Sequence, residues 1–198
     1  MIDTPISIVS VNMWRRNPLF IAFLQATSAD IVMVQEPWFG RLIPSRSDMN
    51  PDGDDVRGFA AHPGWEFFTP KHQKGDICKV VTCVRQSLVM SRDVRVVSLD
   101  DHHLASLTSQ ALEVSISGTS FILVNVYHHV VNHQLALGHI IHSPLDTILP
   151  TYVIGDFNTH SSTWSFLGAM VSSWAGSLED WFEDSDLLLI NPTGLATR

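Results

Sequence analysis

Two short β-branched runs, ISIVSV at residues 6–11 and IVMV at residues 31–34, flank a helix-start signal, and that combination leaves few ways to fold. Asn17-Pro18 opens the segment between them, Asn as N-cap and Pro in the first turn, where its missing N–H costs nothing. Phe20, Phe23, Leu24 and Thr27 then recur at helical spacing. Strand, helix and strand of these lengths predict a βαβ unit with parallel neighbouring strands and a right-handed crossover. The consequence is positional. Asn12 and Glu36, which close the two runs, come out on the same edge of one sheet.

From Pro37 to about Gly64 the chain is rich in Pro, Gly, Ser and Asp, and a connection of that length predicts a functional or mobile segment. Short strand-like runs follow at residues 65–69, 77–84, 95–99, 111–117 and 121–127. VSISGTSFILVNV reads as a hairpin with Gly118 in the turn, its second arm apolar on both faces until Asn125 and Tyr127. HQLALGHIIHSPLDTIL predicts one or two helices, residues 152–154 a buried strand, residues 179–185 a helix, and LLLI from Leu187 one more strand.

Four apolar strands thus end in polar side chains: Asn12, Glu36, Tyr127 with Asn125, and Asp156 with Asn158. In TYVIGDFNTH, residues 151–160, Gly, Asp and Asn are also ordinary turn residues. Ligands of α/β sheets, however, bind outside the carboxyl ends of strands. Two carboxylates, several amides and a phenol gathered there suit a hard cation and an oxyanion, because Mg²⁺ takes oxygen ligands and shares its shell with substrate phosphates.

The apolar fraction of 45% over 198 residues is ample for one domain with a large core. No signal peptide and no apolar run of membrane-spanning length is legible, so the chain is expected to be intracellular, nuclear or cytoplasmic, with no membrane partner. Cys78 and Cys83 lack C-x-x-C spacing, which favours structural thiols over metal ligation. A net charge of −8 excludes a general nucleic-acid coat protein. Eleven of the twelve Lys and Arg residues nevertheless lie between Arg15 and Arg95, so a polyanion would meet the N-terminal half, or reach the acidic half through bound cations. The acids of EDWFEDSD, from Glu179, read as a solvated helix face.

VQEPW, NVYHH and VIGDFNTHSSTW, in that order, resemble the endonuclease/exonuclease/phosphatase superfamily, and EDWFEDSDLLLINPTGLATR is similar to the pattern of its retrotransposon branch. His160 and Trp164 point the same way. The resemblance implies a four-layer α-β-β-α sandwich, two mixed sheets flanked by helices, formed by residues 1–198 as a single domain that is incomplete at its C-terminus. It implies Mg²⁺ or Mn²⁺ as cofactor, Glu36 as principal metal ligand assisted by Asn12, and Asp156 orienting or deprotonating the attacking water. Asn158 would hold the scissile phosphate and Tyr127 would support the phosphate or leaving oxygen. It makes the chain a phosphodiester hydrolase, most like a retrotransposon-type DNA endonuclease.

The family's pattern runs on to an Asp strand and a closing Ser-Asp-His, and this chain ends at Arg198 before either. Two alternatives therefore stand beside the nuclease: an inactive remnant that binds metal or a partner, and a phosphomonoesterase. His160 is the imidazole best placed to replace the missing one, and the open sheet edge invites pairing. His128, His129 and His133 read as exposed loop residues or a zinc site, and His102-His103 as exposed. Trp65, Trp164, Trp174 and Trp181 are core or base-stacking groups, with core favoured. Trp38, beside Glu36, is evenly divided between core and substrate contact. Arg15 and Arg16 are equally readable as solvated charge or as contacts to a nucleic-acid backbone.

Overall fold

A computed structural model of the chain describes residues 5–41, 57–59, 62–73, 76–91, 94–100, 105–128, 148–165 and 169–190. The chain divides into two compact units, Met1–Tyr127 with Leu149–Asp156, and His128–Ile148 with Phe157–Arg198. In the first unit the order is β1 (Ile8–Asn12), α1 (Asn17–Ala26), β2 (Ile31–Gln35), β3 (Gly40–Arg41), β4 (Arg57–Gly58), β5 (Trp65–Phe68), β6 (Val80–Arg85), α2 (Gln86–Val89), β7 (Val94–Ser98), β8 (Ser109–Ile116), β9 (Thr119–Tyr127) and β10 (Thr151–Asp156).

Eight of these strands build two mixed four-stranded sheets, ordered β1-β2-β6-β5 and β10-β9-β8-β7, β3 and β4 pair by themselves, and the fold is the α/β sandwich that the sequence leads one to expect. Each sheet has one parallel pair, at its edge: β1 with β2, and β10 with β9. In register, Asn12 faces Gln35 and Asp156 faces Tyr127, so both parallel edges finish in polar residues.

Val32 and Val34 of β2 point to one face, where they meet Phe20 and Leu24 of α1, Trp65, Val81 and Cys83. Ile31 and Met33 point to the other, where Val84, Leu112, Val114 and Leu123 form the core between the sheets. β2 is therefore buried on both faces, which is why it reads as a continuous apolar run. Burying the Phe20 and Leu24 side chains contributes roughly 1.5–3 kcal/mol each. Trp65 belongs to this core: its indole N–H donates to the Leu24 carbonyl at 3.1 Å, and the Arg85 guanidinium lies 4.6 Å over its ring. Cys78 and Cys83 are buried free thiols, Cys78 pushed up to about 11 by burial first and by Asp76 second.

Two local expectations need correction. The α1 N-cap is Arg16 and makes no side-chain cap bond; Asn17 is already helical, and its buried Oδ1 has no partner among the described residues. The cause lies upstream, where the Arg16 amide bonds to the Met13 carbonyl and turns the chain one residue early. The second concerns residues 187–190, which form no strand: Leu188 and Ile190 are exposed, and a strand needs a neighbour to accept its backbone groups. The hairpin turn is where the sequence puts it, with Ser117 (φ 49°) and Gly118 (φ 84°) both in the left-handed region.

The second unit contains α3 (Ala175–Asp184), which buries Ala175, Leu178 and Trp181 at helical spacing. Phe182 lies against Phe157, Trp164 and Trp181 at centroid distances of 6.2, 5.9 and 5.6 Å, so both indoles are packing groups. Asp180, Glu183 and Asp184 form the expected solvated face, whereas Glu179 accepts hydrogen bonds from the hydroxyls of Ser161 and Thr163. Those bonds hold its carboxyl below the usual range. The expected helices between residues 133 and 147, with His102, His103, His129 and His133, lie outside the described residues.

Candidate active site

At the carboxyl ends of β1 and β10, the Asn12 amide donates to Asp156 Oδ2 at 2.8 Å, joining side chains 144 residues apart. Asn12 Oδ1 accepts the Trp14 N–H at 2.9 Å, which fixes the amide so that its NH₂ faces the carboxylate. Glu36 follows β2 in the left-handed region (φ 45°), its N–H bonded to the Lys79 carbonyl at 2.9 Å. Trp14 (φ 46°) and Arg15 (φ 58°) share that conformation, and the Arg15 amide donates to the Glu36 carbonyl at 2.8 Å. Three bulky residues in a sparsely populated region at adjoining strand ends are the kind of local strain that clusters at functional sites.

Tyr127 ends β9 and is 5% exposed. Burial above all, then its hydrogen bond with Glu36 and the charges of Glu36 and Asp156, raise its phenol, with Arg15 opposing. The phenol therefore stays a neutral hydrogen-bond donor across the physiological range. Arg15 Nη2 stands 3.7 Å from Glu36 Oε1, its side chain 54% exposed against 16% for Glu36. Beside them is Lys79, lowered by burial first and by Arg15 second, with Glu36 acting the other way.

Two neighbours of the site have structural tasks. Asn125 is fully buried: its Oδ1 accepts from Gln35 Nε2 at 2.7 Å, and its NH₂ donates to the Val34 and Val81 carbonyls at 3.3 and 3.1 Å. It ties the sheets together beneath the site. Gly155 lies inside β10, where any Cβ would run into the Val126 backbone, so the Gly of GDFN is required for close strand approach, not for a turn.

Residues 9–190 match the model of the Endonuclease/Exonuclease/phosphatase family. The chain belongs to this family. Among solved structures, it is similar in fold to the endonuclease domain of TRAS1, a telomere-specific non-LTR retrotransposon, with a TM-score of 0.64 at 16% identity, covering 96% of this chain and 75% of that one. The AP endonuclease LMAP from Leishmania major follows with a TM-score of 0.55 at 12% identity, covering 91% and 66%. At such identities the likeness is one of fold. No curated protein matches the chain significantly.

For this family member, Asn12, Glu36, Tyr127, Asp156 and Arg15 are brought together. Arg16 points elsewhere, 5.9 Å over the exposed Trp14 ring. Trp38 is half-buried and packs across Gly40. Asn158 and His160 belong to the second unit, where Asn158 (φ 45°) donates to the His128 carbonyl at 2.7 Å. His160 is exposed, its Nδ1 3.3 Å from Ser165 Oγ and its N–H bonded to Ser172 Oγ at 2.9 Å. Among the described residues no group of three or more His, Cys, Asp and Glu converges on a metal position, and no helix is long and apolar enough to cross a membrane. Lys79 escaped the sequence reading because no strand-end or motif signal marks it.

Proposed function

We propose that the chain is a divalent-metal-dependent phosphodiester hydrolase acting on nucleic acid, with DNA favoured, of the retrotransposon endonuclease type, and that its 198 residues work as one domain. The observation that carries this reading is the Asn12–Asp156 bond, which sets an amide and a carboxylate beside Glu36 and Tyr127. Donor chemistry supports the cofactor: carboxylate and amide carbonyl oxygens are what Mg²⁺ or Mn²⁺ prefers. Glu36, with Asn12, would hold the cation, which when bound supplies charge stabilisation at the phosphoryl oxygens.

The remaining roles fall to this chain's own groups. Asp156, oriented by Asn12, takes the proton of the attacking water, and Tyr127, kept neutral, donates to the oxygen on which charge grows. Asn158, two residues beyond Asp156, holds the scissile phosphate, and His160, four beyond, stands in for the family's closing phosphate-contacting His; their roles rest on position in the chain and on resemblance. Arg15, Arg16 and Trp38 serve the substrate backbone and bases.

A plasmid-nicking assay with Mg²⁺ or Mn²⁺ tests the reading against Glu36→Ala and Asp156→Ala. Metal-dependent nicking lost in both variants is expected. Folded protein that nicks no faster than the variants would instead identify a retained fold without catalysis, and release of inorganic phosphate from small esters would identify a phosphomonoesterase.

A further inference from the structure

Lys79 is fixed at both faces of its peptide: its N–H donates to the Leu107 carbonyl at 2.7 Å and its carbonyl accepts the Glu36 N–H at 2.9 Å. The residue is thereby locked to Glu36 on one side and to the segment entering β8 on the other. Its side chain is half-buried, and among the described residues its ammonium has no ion pair within 4.0 Å and no hydrogen bond. A partly desolvated charge without a partner is unfavourable, and here a second cation makes it worse, since Arg15 is close enough to repel it.

The Glu36 backbone is bracketed by two basic residues: its N–H donates to the Lys79 carbonyl at 2.9 Å and its carbonyl accepts the Arg15 N–H at 2.8 Å. Both cations are thus anchored to Glu36, and the Arg15 guanidinium also stands 3.7 Å from its carboxylate. Two cations held by the backbone of one carboxylate-bearing residue suit an anion, which relieves their mutual repulsion.

We propose that Lys79 and Arg15 clamp a phosphate of the polynucleotide next to the one that reacts, making Lys79 a specificity-determining residue that favours a polyanionic strand over a small phosphate ester. The inference rests on the phosphodiesterase reading and deepens it. Each phosphate so held displaces condensed counterions, which gives the clamp a signature that packing or metal binding lacks.

The test is fluorescence anisotropy of a labelled single-stranded oligodeoxynucleotide, free of divalent metal, across a range of NaCl concentrations. Lys79→Met should lower the slope of log affinity against log salt by about 0.7, the loss of one single-strand phosphate contact, and Lys79→Arg should restore it. In nicking, the loss should fall on KM more than on kcat. Lys79→Gln repeats the comparison if the methionine variant melts early. An unchanged slope in a folded variant overturns the clamp; if Mn²⁺ affinity changes instead, Lys79 is a counter-ion of Glu36. Wild-type nicking that depends on Glu36, with that unchanged slope, sinks the clamp and spares the nuclease. Wild type that neither binds nor nicks sinks both.

Discussion

The space between the two sheets ends in two different ways. At one end Ile6, Ile8, Ile116, Phe121, Tyr152 and Ile154 line an open apolar groove of about 390 Å³. At the other stand Asn12, Glu36, Tyr127 and Asp156, over a buried polar layer of Gln35, Thr82 and Asn125. Between them Met33, Leu112 and Leu123 are dry. The same strands serve both ends: β1, β9 and β10 begin at the groove and finish at the site, and antiparallel β8 finishes at the groove. Strand direction decides which end of each strand lies at the groove and which at the polar cluster. The contrast separates the apolar contacts that stabilise the scaffold from the polar cluster proposed for chemistry.

The largest expected effect breaks the polar end. Glu36→Ala and Asp156→Ala should each slow metal-dependent nicking by at least about 10²–10³-fold, the loss typical of a preorganised group that meets developing charge. Glu36→Gln, which takes from Arg15 and Lys79 the carboxylate they share, should lower the thermal midpoint.

Stability separates the layers next. In urea unfolding, Leu123→Ala should cost about 2–5 kcal/mol through cavity formation. Asn125→Ala should cost about 1–3 kcal/mol by leaving the Gln35 amide and two carbonyls without a partner. Replacing Gln35 and Asn125 by Leu together should recover part of that loss; a strictly additive double variant would contradict the bridge.

Tyr127 sharpens the comparison through pH. Its folded value lies above the 10.0 of the free side chain, so the stability it contributes is complete below pH 10 and is lost as pH rises through the folded value. The phenolate absorbance that is lost in Tyr127→Phe should appear only above the normal tyrosine range, and the same variant should remove the alkaline loss of stability. A titration near 10 would show that the burial is wrong. The smallest effect belongs to the groove: Ile8→Ala, on a half-exposed lining residue, should cost no more than about 1.5 kcal/mol and leave nicking unaltered.

Much of this contrast is legible in the chain. β1, α1 and β2 follow from two β-branched runs and Asn-Pro, and the four strand ends follow from where apolar runs meet polar residues. What sequence could not separate was polar for chemistry from polar for structure. Asn125 and Tyr127 stand on one face two residues apart, yet one closes a buried bridge and the other meets carboxylates, a distinction set by the partner sheet. Gly155 resembles a turn residue until Val126 is placed beside it. Lys79 is invisible because its neighbours Arg15 and Glu36 are distant in sequence. Residues 187–190 have strand composition but no neighbour to pair with among the described residues.

Paramagnetic broadening of backbone amide signals by Mn²⁺ tests most directly whether chemistry is confined to one end of the sandwich. The first and strongest losses should fall at Asn12, Glu36, Tyr127 and Asp156, should spare Ile8, Ile116 and Phe121, and should vanish in Glu36→Ala. Broadening that starts elsewhere, or that persists at the strand ends without Glu36, would contradict the account.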